Sequence, residues 1–232
     1  YVNDALQSSW LLLKNDAVPV PKDKIADIQS DTKTPLKLQD ARCFDLAFAL
    51  LLDVDDNLRS LDRSVLYTYL PTSCKVNFPF LVNANFITDA GRQQLNVDAV
   101  WNQMVIDTIP EEYINWLAAI SVKHDDYYRI LPSQSLGING LEENYEKSLD
   151  TALDAIAFVP NINGGKLLKA SQCYADSLEL YNAFSVNAYR NVLNNQLGQN
   201  YTPEHMINIE AGKALEKFGS KTITVTNLCN ML

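Results

Sequence analysis

The sequence predicts a mixed α/β fold, and three observations support this prediction. Short apolar runs rich in β-branched and aromatic residues, bounded by prolines and polar turns, fill the first hundred residues and are typical of strands. From about residue 100, apolar residues recur every three or four positions, which is typical of helices buried on one side. Both kinds of segment then alternate again in the second half of the chain.

Composition and charge exclude several classes of protein. The 232 residues are 47% hydrophobic and 20% charged, which is an ordinary globular composition. No apolar run is long enough to cross a membrane, and no signal peptide is visible. The net charge of −9 argues against binding to nucleic acid or to an anionic membrane surface. The four cysteines lie far apart and are expected to be reduced thiols, which predicts a cytoplasmic protein with no metal site.

The first part of the chain is predicted to contain most of the strands. An apolar run covers residues 10–14 and ends before Pro19. Residues 43–52 (CFDLAFALLL) are too apolar for one-sided alternation, so we expect a central strand covered on both faces. Further strands are predicted at 64–70, ending at Pro71, and at 80–87, with Pro79 at the start.

Two helices are predicted next, followed by a linker. Val100, Trp101, Met104 and Val105 belong to one buried helical stripe. Pro110 is expected to begin a second helix, because proline is tolerated in the first turn. Proline, serine and glycine mark the linker most clearly at residues 131–140. We therefore predict a first segment over 1–125, a linker over 126–140 and a smaller α+β segment over 141–232.

The second half repeats the mixture of helices and strands. Helices are predicted over 141–156 and 184–197, the latter ending at Gly198, and a third is predicted from Thr202 to about residue 218. The turn at 163–165 (Asn-Gly-Gly) predicts a hairpin between strands at 157–160 and 166–174. A last short strand is expected at 222–225.

The most informative segment for function runs from Leu70 to Trp101. A strand that bears Asn83 and Asn85 leads into a turn, Thr88-Asp89-Ala90-Gly91-Arg92, and then into a helix. The guanidinium of Arg92 presents a fork of donors that suits phosphate oxygens, and such an arginine can stabilise charge on a transferring phosphoryl group. A surface ion pair between Arg92 and Asp89 or Asp98 is the alternative interpretation.

This segment resembles a known family. The residues Tyr69-Leu70-Pro71-Thr72, Phe78-Pro79-Phe80-Leu81-Val82-Asn83-Ala84-Asn85-Phe86, Gly91-Arg92 and Trp101-Asn102 resemble a segment of sacsin-like ATP-binding proteins. These proteins belong to the GHKL superfamily, and the segment also resembles the catalytic loop in the middle domain of the ninety-kilodalton heat-shock chaperone. In that loop an arginine reaches the γ-phosphate of ATP, assisted by a glutamine four positions later.

The resemblance implies a transducer-like mixed sheet and a set of site residues. Arg92 would take the catalytic role of contacting the phosphate, and Asn96, one methylene shorter than glutamine, would stand in the place of the assisting residue. Asn83, Asn85 and Gly91 would belong to the same nucleotide-contacting loop. No Asp-x-Gly-x-Gly motif or glycine-rich lid occurs in the chain. ATP and Mg²⁺ are therefore expected only in the full-length protein, bound by an adjacent N-terminal ATP-binding domain that precedes Tyr1.

Under this first hypothesis the chain would be a part of an ATPase without activity of its own, with a protein client or a homo-oligomer as possible further partners. Two other functions remain open. The alternative is a non-catalytic interaction or scaffold module, in which Tyr67, Tyr69, Tyr127 and Tyr128 would serve as anchors. A free-standing hydrolase is the third hypothesis, although no P-loop, nucleophile elbow or kinase signature is present.

Overall fold

A computed structural model describes residues 8–224 of the chain. The fold is mixed α/β, with 37% helix and 24% strand, a six-stranded mixed sheet and smaller sheets, as the sequence predicts. None of the helices in this described part is both long enough and apolar enough to cross a membrane.

The chain folds into two compact units. The first contains the described residues up to Tyr113 together with Ile130–Asp150, and the second contains Ile114–Arg129 together with the described residues from Thr151 onward. Within the predicted linker, residues 126–129 therefore belong to the second unit and residues 130–140 to the first. The bounds thus differ from those expected from the sequence, because each unit is built from two stretches of chain.

A six-stranded sheet forms the framework of the first unit. Its strands follow the order β1-β2-β6-β4-β5, with β3 paired to β2, and only the β4–β6 pair is parallel. The strands are β1 (Ser9–Pro19), β2 (Cys43–Leu52), β3 (Leu58–Arg59), β4 (Ser64–Thr68), β5 (Leu70–Val76) and β6 (Leu81–Ala84). The bounds of β2 and its central position are as predicted, and β6 is shorter than the predicted 80–87.

One face of this sheet is buried and the other is partly open. Along β2, Phe44, Leu46, Phe48 and Leu50 are buried, whereas the alternate residues from Asp45 to Leu51 are only half-buried. The prediction that β2 is covered on both faces is therefore wrong. Its second face carries two alanines, which are apolar but too small to require a covering layer.

Helices cover the buried face of the sheet. The helices that begin in the first unit are α1 (Ile25–Ser30), α2 (Leu36–Gln39), α3 (Val100–Ser121) and α4 (Glu142–Ala155). The ring of Tyr113 on α3 stacks on Phe80 at 3.7 Å between centroids, and it meets Phe48 edge-on at 5.5 Å. Trp101 meets Phe44 in the same way at 6.0 Å. These aromatic contacts hold α3 against β2 and against Phe80, the residue directly before β6.

Helix α3 is a single helix where the sequence predicts two. Pro110 lies inside it rather than in the first turn of a second helix. A proline in a helix interior removes one backbone hydrogen bond and normally disfavours the helix. Here Ile109 and Pro110 are buried, and the apolar stripe continues on both sides through Ile106 and Tyr113. Burial of this stripe offsets the lost bond.

The second unit contains a small parallel sheet and a hairpin. Its strands are β7 (Val159–Pro160), β8 (Leu167–Leu168), β9 (Tyr174–Asp176), β10 (Met206–Ile207) and β11 (Lys221–Ile223). The order in the sheet is β10-β9-β11, with all pairs parallel. Its helices are α5 (Leu180–Ala183), α6 (Val186–Gln196) and α7 (Ile209–Leu215), and short 3-10 helices span Ala170–Gln172, Pro203–His205 and Glu216–Phe218. A further 3-10 helix, Tyr127–Ile130, begins in this unit and ends at the first residue of the other. Tyr174, Tyr189 and Leu193 lie in its core.

Several predictions in this unit are confirmed and two are wrong. The hairpin is present, with β7 antiparallel to β8, and Gly198 ends α6 with a φ of 108°. The predicted strand over 166–174 is interrupted by a 3-10 helix. The predicted helix from Thr202 is interrupted by β10, because the side chain of Asn208 accepts hydrogen bonds from two backbone N–H groups and starts α7 there. The last strand ends at Ile223, and residue 225 lies outside the described residues.

Candidate functional site

The candidate site is a polar cluster where β4 and β6 end. Tyr69, between β4 and β5, is 70% exposed and has a φ of +61°. Its backbone N–H donates to Oδ1 of Asn83 at 2.8 Å. Its hydroxyl accepts from Nδ2 of Asn85 at 3.0 Å and donates to Oδ2 of Asp45 at 3.4 Å. The two asparagines therefore hold the backbone and the ring of the same tyrosine, and this fixes its left-handed conformation.

Asn85 also ties the end of β6 to its neighbours. Its Oδ1 accepts from the backbone N–H of Asp45 on β2 at 2.9 Å. Its backbone carbonyl accepts from the indole Nε1 of Trp101 on α3 at 2.7 Å. Because every one of these bonds joins a different element, the chain that leaves β6 is held in one position.

The turn that carries Arg92 is ordered by Asp89. Oδ1 of Asp89 accepts from the backbone N–H of Gln93 at 2.6 Å, and its carbonyl accepts from the N–H of Arg92 at 3.1 Å. Arg92 has a φ of +55°, a conformation that is uncommon outside glycine. Gly91 does not need to be glycine for this turn, since its own φ is not positive and an added Cβ would meet only side-chain atoms, of Gln93 at 3.2 Å and of Asp89 at 4.0 Å.

Arg92 is exposed, and hydrogen bonds to backbone groups hold both its own carbonyl and its guanidinium. Its carbonyl accepts from the N–H of Ser73 on β5 at 3.0 Å. Its Nη1 donates to the carbonyl of Thr68 at 2.9 Å. A guanidinium has five N–H donors, so one bond to a carbonyl leaves others for a ligand.

Neither carboxylate proposed as an alternative partner pairs with Arg92 within residues 8–224. Asp98 forms its ion pair with Lys33, at 2.8 Å between Oδ2 and Nζ. Oδ1 of Asp89 is engaged with backbone N–H groups instead. The surface ion pair considered from the sequence is therefore not the arrangement of this turn.

Asn102 is a residue of the site that sequence reasoning left without a role. Its side chain is fully buried on α3, and its Oδ1 accepts from the N–H of Ile87 at 2.9 Å. Its Nδ2 donates to the carbonyl of Ile87 at 2.7 Å and to that of Asn96 at 2.9 Å. These three bonds clamp both ends of the loop that carries Arg92. An asparagine inside an apolar helical stripe was the signal, because a buried amide requires partners.

The structure brings together three of the five predicted site residues. Arg92, Asn83 and Asn85 all bond to the Thr68–Tyr69 peptide segment or to the ring of Tyr69. Asn96 lies beside Ile87 instead, where its backbone N–H donates to the Ile87 carbonyl at 3.0 Å. Gly91 lies in the Arg92 turn and is exposed. Of the tyrosines expected as anchors, Tyr69 is exposed, whereas Tyr127 is buried.

The chemistry available here is the binding of an anion by an exposed, positioned guanidinium. No group of three or more histidine, cysteine or acidic side chains that could hold a metal ion occurs within residues 8–224. Comparison with known proteins adds no assignment: no family model, no curated protein and no solved structure matches the chain.

Proposed function

We propose that this chain contacts the terminal phosphate of ATP through Arg92 and transmits the state of that nucleotide. The ATP and its Mg²⁺ would be bound by a separate ATP-binding domain, as the resemblance to sacsin-like proteins implies. The single observation that carries the proposal is the geometry of Arg92, whose guanidinium is exposed while its backbone is held by Ser73 and Asp89.

Positioning of the guanidinium supports this role. Electrostatic stabilisation of a phosphate is effective when the donor is already in place, because no free energy is then spent on ordering it. The bond from Nη1 to the Thr68 carbonyl fixes the direction of the side chain, and Asn83 and Asn85 hold the adjacent Tyr69. The side chain of Asn102 on α3 fixes the loop that carries Arg92, because it donates to the carbonyls of Ile87 and Asn96.

The same geometry explains how nucleotide state would be sensed. An arginine that contacts only the γ-phosphate binds the ATP state more tightly than the ADP state. It shifts an equilibrium between two domain arrangements only by that difference in affinity. Residues for the adenine, the ribose and the metal are assigned to the other domain, so this chain supplies one phosphate contact and a rigid connection to its sheet.

Substitution of Arg92 in the full-length natural protein tests the proposal. Arg92→Ala should lower the rate of ATP hydrolysis by about 10²-fold or more, while ATP binding in the other domain persists. Arg92→Lys should restore only part of the rate, because lysine lacks the planar fork of donors. Arg42→Ala is the matched control, since Arg42 is also exposed and also donates to backbone carbonyls. Equal rates for Arg92→Ala and Arg42→Ala would refute the role of Arg92.

An interaction module without a nucleotide link is the second candidate, and the open sheet face favours it. A cleft of about 230 Å³ on this face is lined mainly by apolar residues, among them Leu12, Ala47, Ala49 and Leu81. An exposed apolar surface of this kind is typical of a protein-binding site. Wild-type ATP hydrolysis in Arg92→Ala would leave this candidate as the better account.

A further inference from the structure

The two edges of the six-stranded sheet differ in how they are protected. At the β5 edge, other parts of the chain accept from the strand and its end: the Ser73 N–H donates to the Arg92 carbonyl at 3.0 Å and the Asn77 N–H to that of Leu136 at 2.9 Å. At the opposite edge, β1 pairs with β2 and with no other strand among residues 8–224. Its outer backbone groups are therefore available to a further strand.

The amino-terminal half of β1 lacks the devices that usually prevent strand addition. Natural edge strands carry lysines, prolines or bulges that block pairing. In β1, Lys14 is the middle residue, and the register shift between Asn15 and Val18 and Pro19 lie in the second half. The first half is apolar and open to solvent, with Trp10 36% and Leu12 70% exposed.

The residue pattern of β1 is complementary to itself. Its pairing with β2 is regular from Ser9 to Asn15, and Leu12 is the midpoint of that stretch. Two copies that pair antiparallel over the whole regular stretch place Leu12 opposite Leu12. They also place Trp10 opposite Lys14 of the other copy, twice.

No like charges oppose each other in this register. Lys14 forms an ion pair with Asp16 of its own strand at 2.6 Å, and in this register it would also lie beside Trp10, where a cation–π contact is favourable. Leu11 would lie opposite Leu13 on the other face. Trp10, Leu12 and Lys14 share the open face with Leu51, Ala49 and Ala47, to which they pair on β2. The apolar surface on the open face thus continues from one sheet to the next.

We propose that β1 pairs antiparallel with β1 of a second copy of this chain, about a two-fold axis at Leu12. The two six-stranded sheets then form one continuous sheet. The pairing rests on the edge of β1 and is independent of any role of Arg92. A contact made by one strand from each copy is small, so the dimer is expected to be weak and dependent on concentration.

Sedimentation velocity over a micromolar concentration series tests this proposal. The average mass should rise from 26.0 kDa toward twice that value as the protein concentration increases. Leu12→Lys places two like charges opposite each other on the axis and should weaken the dimer by about tenfold or more. Leu36→Lys is the matched control, because Leu36 is 79% exposed and lies on α2, away from the edge. A constant mass of one copy, or equal dimerisation of the two variants, would overturn the proposal.

Disulfide cross-linking tests the register independently of affinity. In a background with Cys43→Ser and Cys229→Ser, Leu12→Cys should form a covalent dimer under mild oxidation, because the two-fold axis brings its two copies together. Val54→Cys is the control: Val54 is 85% exposed and lies on a turn, so this variant should remain monomeric. Cross-linking of Val54→Cys as fast as Leu12→Cys would mean that collisions, not the proposed pairing, produce the dimer, and the proposal would fail.

Discussion

The clamp formed by Asn102 gives the most specific prediction on stability. Asn102→Ala removes three hydrogen bonds, two to Ile87 and one to Asn96. In this variant the Ile87 carbonyl still accepts from the N–H of Asn96, and the Asn96 carbonyl still accepts from the N–H of Ala99. Only the Ile87 N–H therefore loses its hydrogen-bond partner. At about 1 kcal/mol for each bond, the free energy of unfolding should fall by about 3 kcal/mol.

Urea unfolding followed by circular dichroism measures this loss as a lower midpoint with an unchanged slope. Asn102→Asp should lose at least as much at neutral pH, because its second carboxylate oxygen would face two carbonyl oxygens. Asn194→Ala, an exposed asparagine on α6, is the control and should change stability by no more than about 0.5 kcal/mol. A loss below about 1 kcal/mol for Asn102→Ala would refute the clamp.

Three further predictions test other parts of the structure. Burial raises the pKa of the Cys173 thiol to about 12. At pH 8 a disulfide reagent should therefore modify the exposed Cys43 in the native protein and reach Cys173 only after unfolding. Equal rates of modification of the two thiols in the native protein would contradict this. Burial would raise the pKa of Glu142, but hydrogen bonds from Ser135, Gly137 and Leu136 outweigh it and hold that pKa below its ordinary value of 4.5. The stability that Glu142 contributes is therefore present above about pH 4.5 and is lost as the pH falls through the lowered pKa. Glu142→Gln should make the free energy of unfolding fall less steeply on the acid side of its pH dependence. An unchanged acid slope in this variant would be the contrary result. Gly212→Ala should lower the free energy of unfolding by about 1–3 kcal/mol, because the new Cβ would overlap the side chain of Ala175. Gly164→Ala has open space around it and should cost about 1 kcal/mol, because alanine is strained at a φ of +69°. A larger loss for Gly164→Ala than for Gly212→Ala would contradict the packing of α7 on β9.

Local patterns predicted the elements that depend on local chemistry. Strand β2, the hairpin of β7 and β8 and the end of α6 at Gly198 were all visible as apolar runs or turn residues. Pro110 was misread because burial on both sides of it outweighs the lost backbone bond, and burial is a property of the whole fold. Strand β10 interrupts a predicted helix for a different reason: Asn208 caps α7, and Met206–Ile207 pair with β9.

Part of the candidate site was predictable in its residues, since Arg92, Asn83 and Asn85 meet at Tyr69, but Asn102 and the contacts were not. The exposed turn at Arg92 follows from the sequence between β6 and α3. The bonds of Asn83 to Tyr69 and of Asn85 to Asp45 join residues 14 and 40 positions apart. No spacing rule indicates such pairs, because they depend on which strands become neighbours in the sheet. The nucleotide contacts expected of Asn83, Asn85, Gly91 and Asn96 stay predictions.

Chemical modification of arginine in the full-length natural protein tests the central claim most directly. Phenylglyoxal labelling read by mass spectrometry reports how accessible each guanidinium is. The account predicts that a non-hydrolysable ATP analogue with Mg²⁺ protects Arg92, that ADP with Mg²⁺ protects it much less, and that labelling of Arg42 is the same in both. Equal labelling of Arg92 with the two nucleotides would contradict a contact with the γ-phosphate.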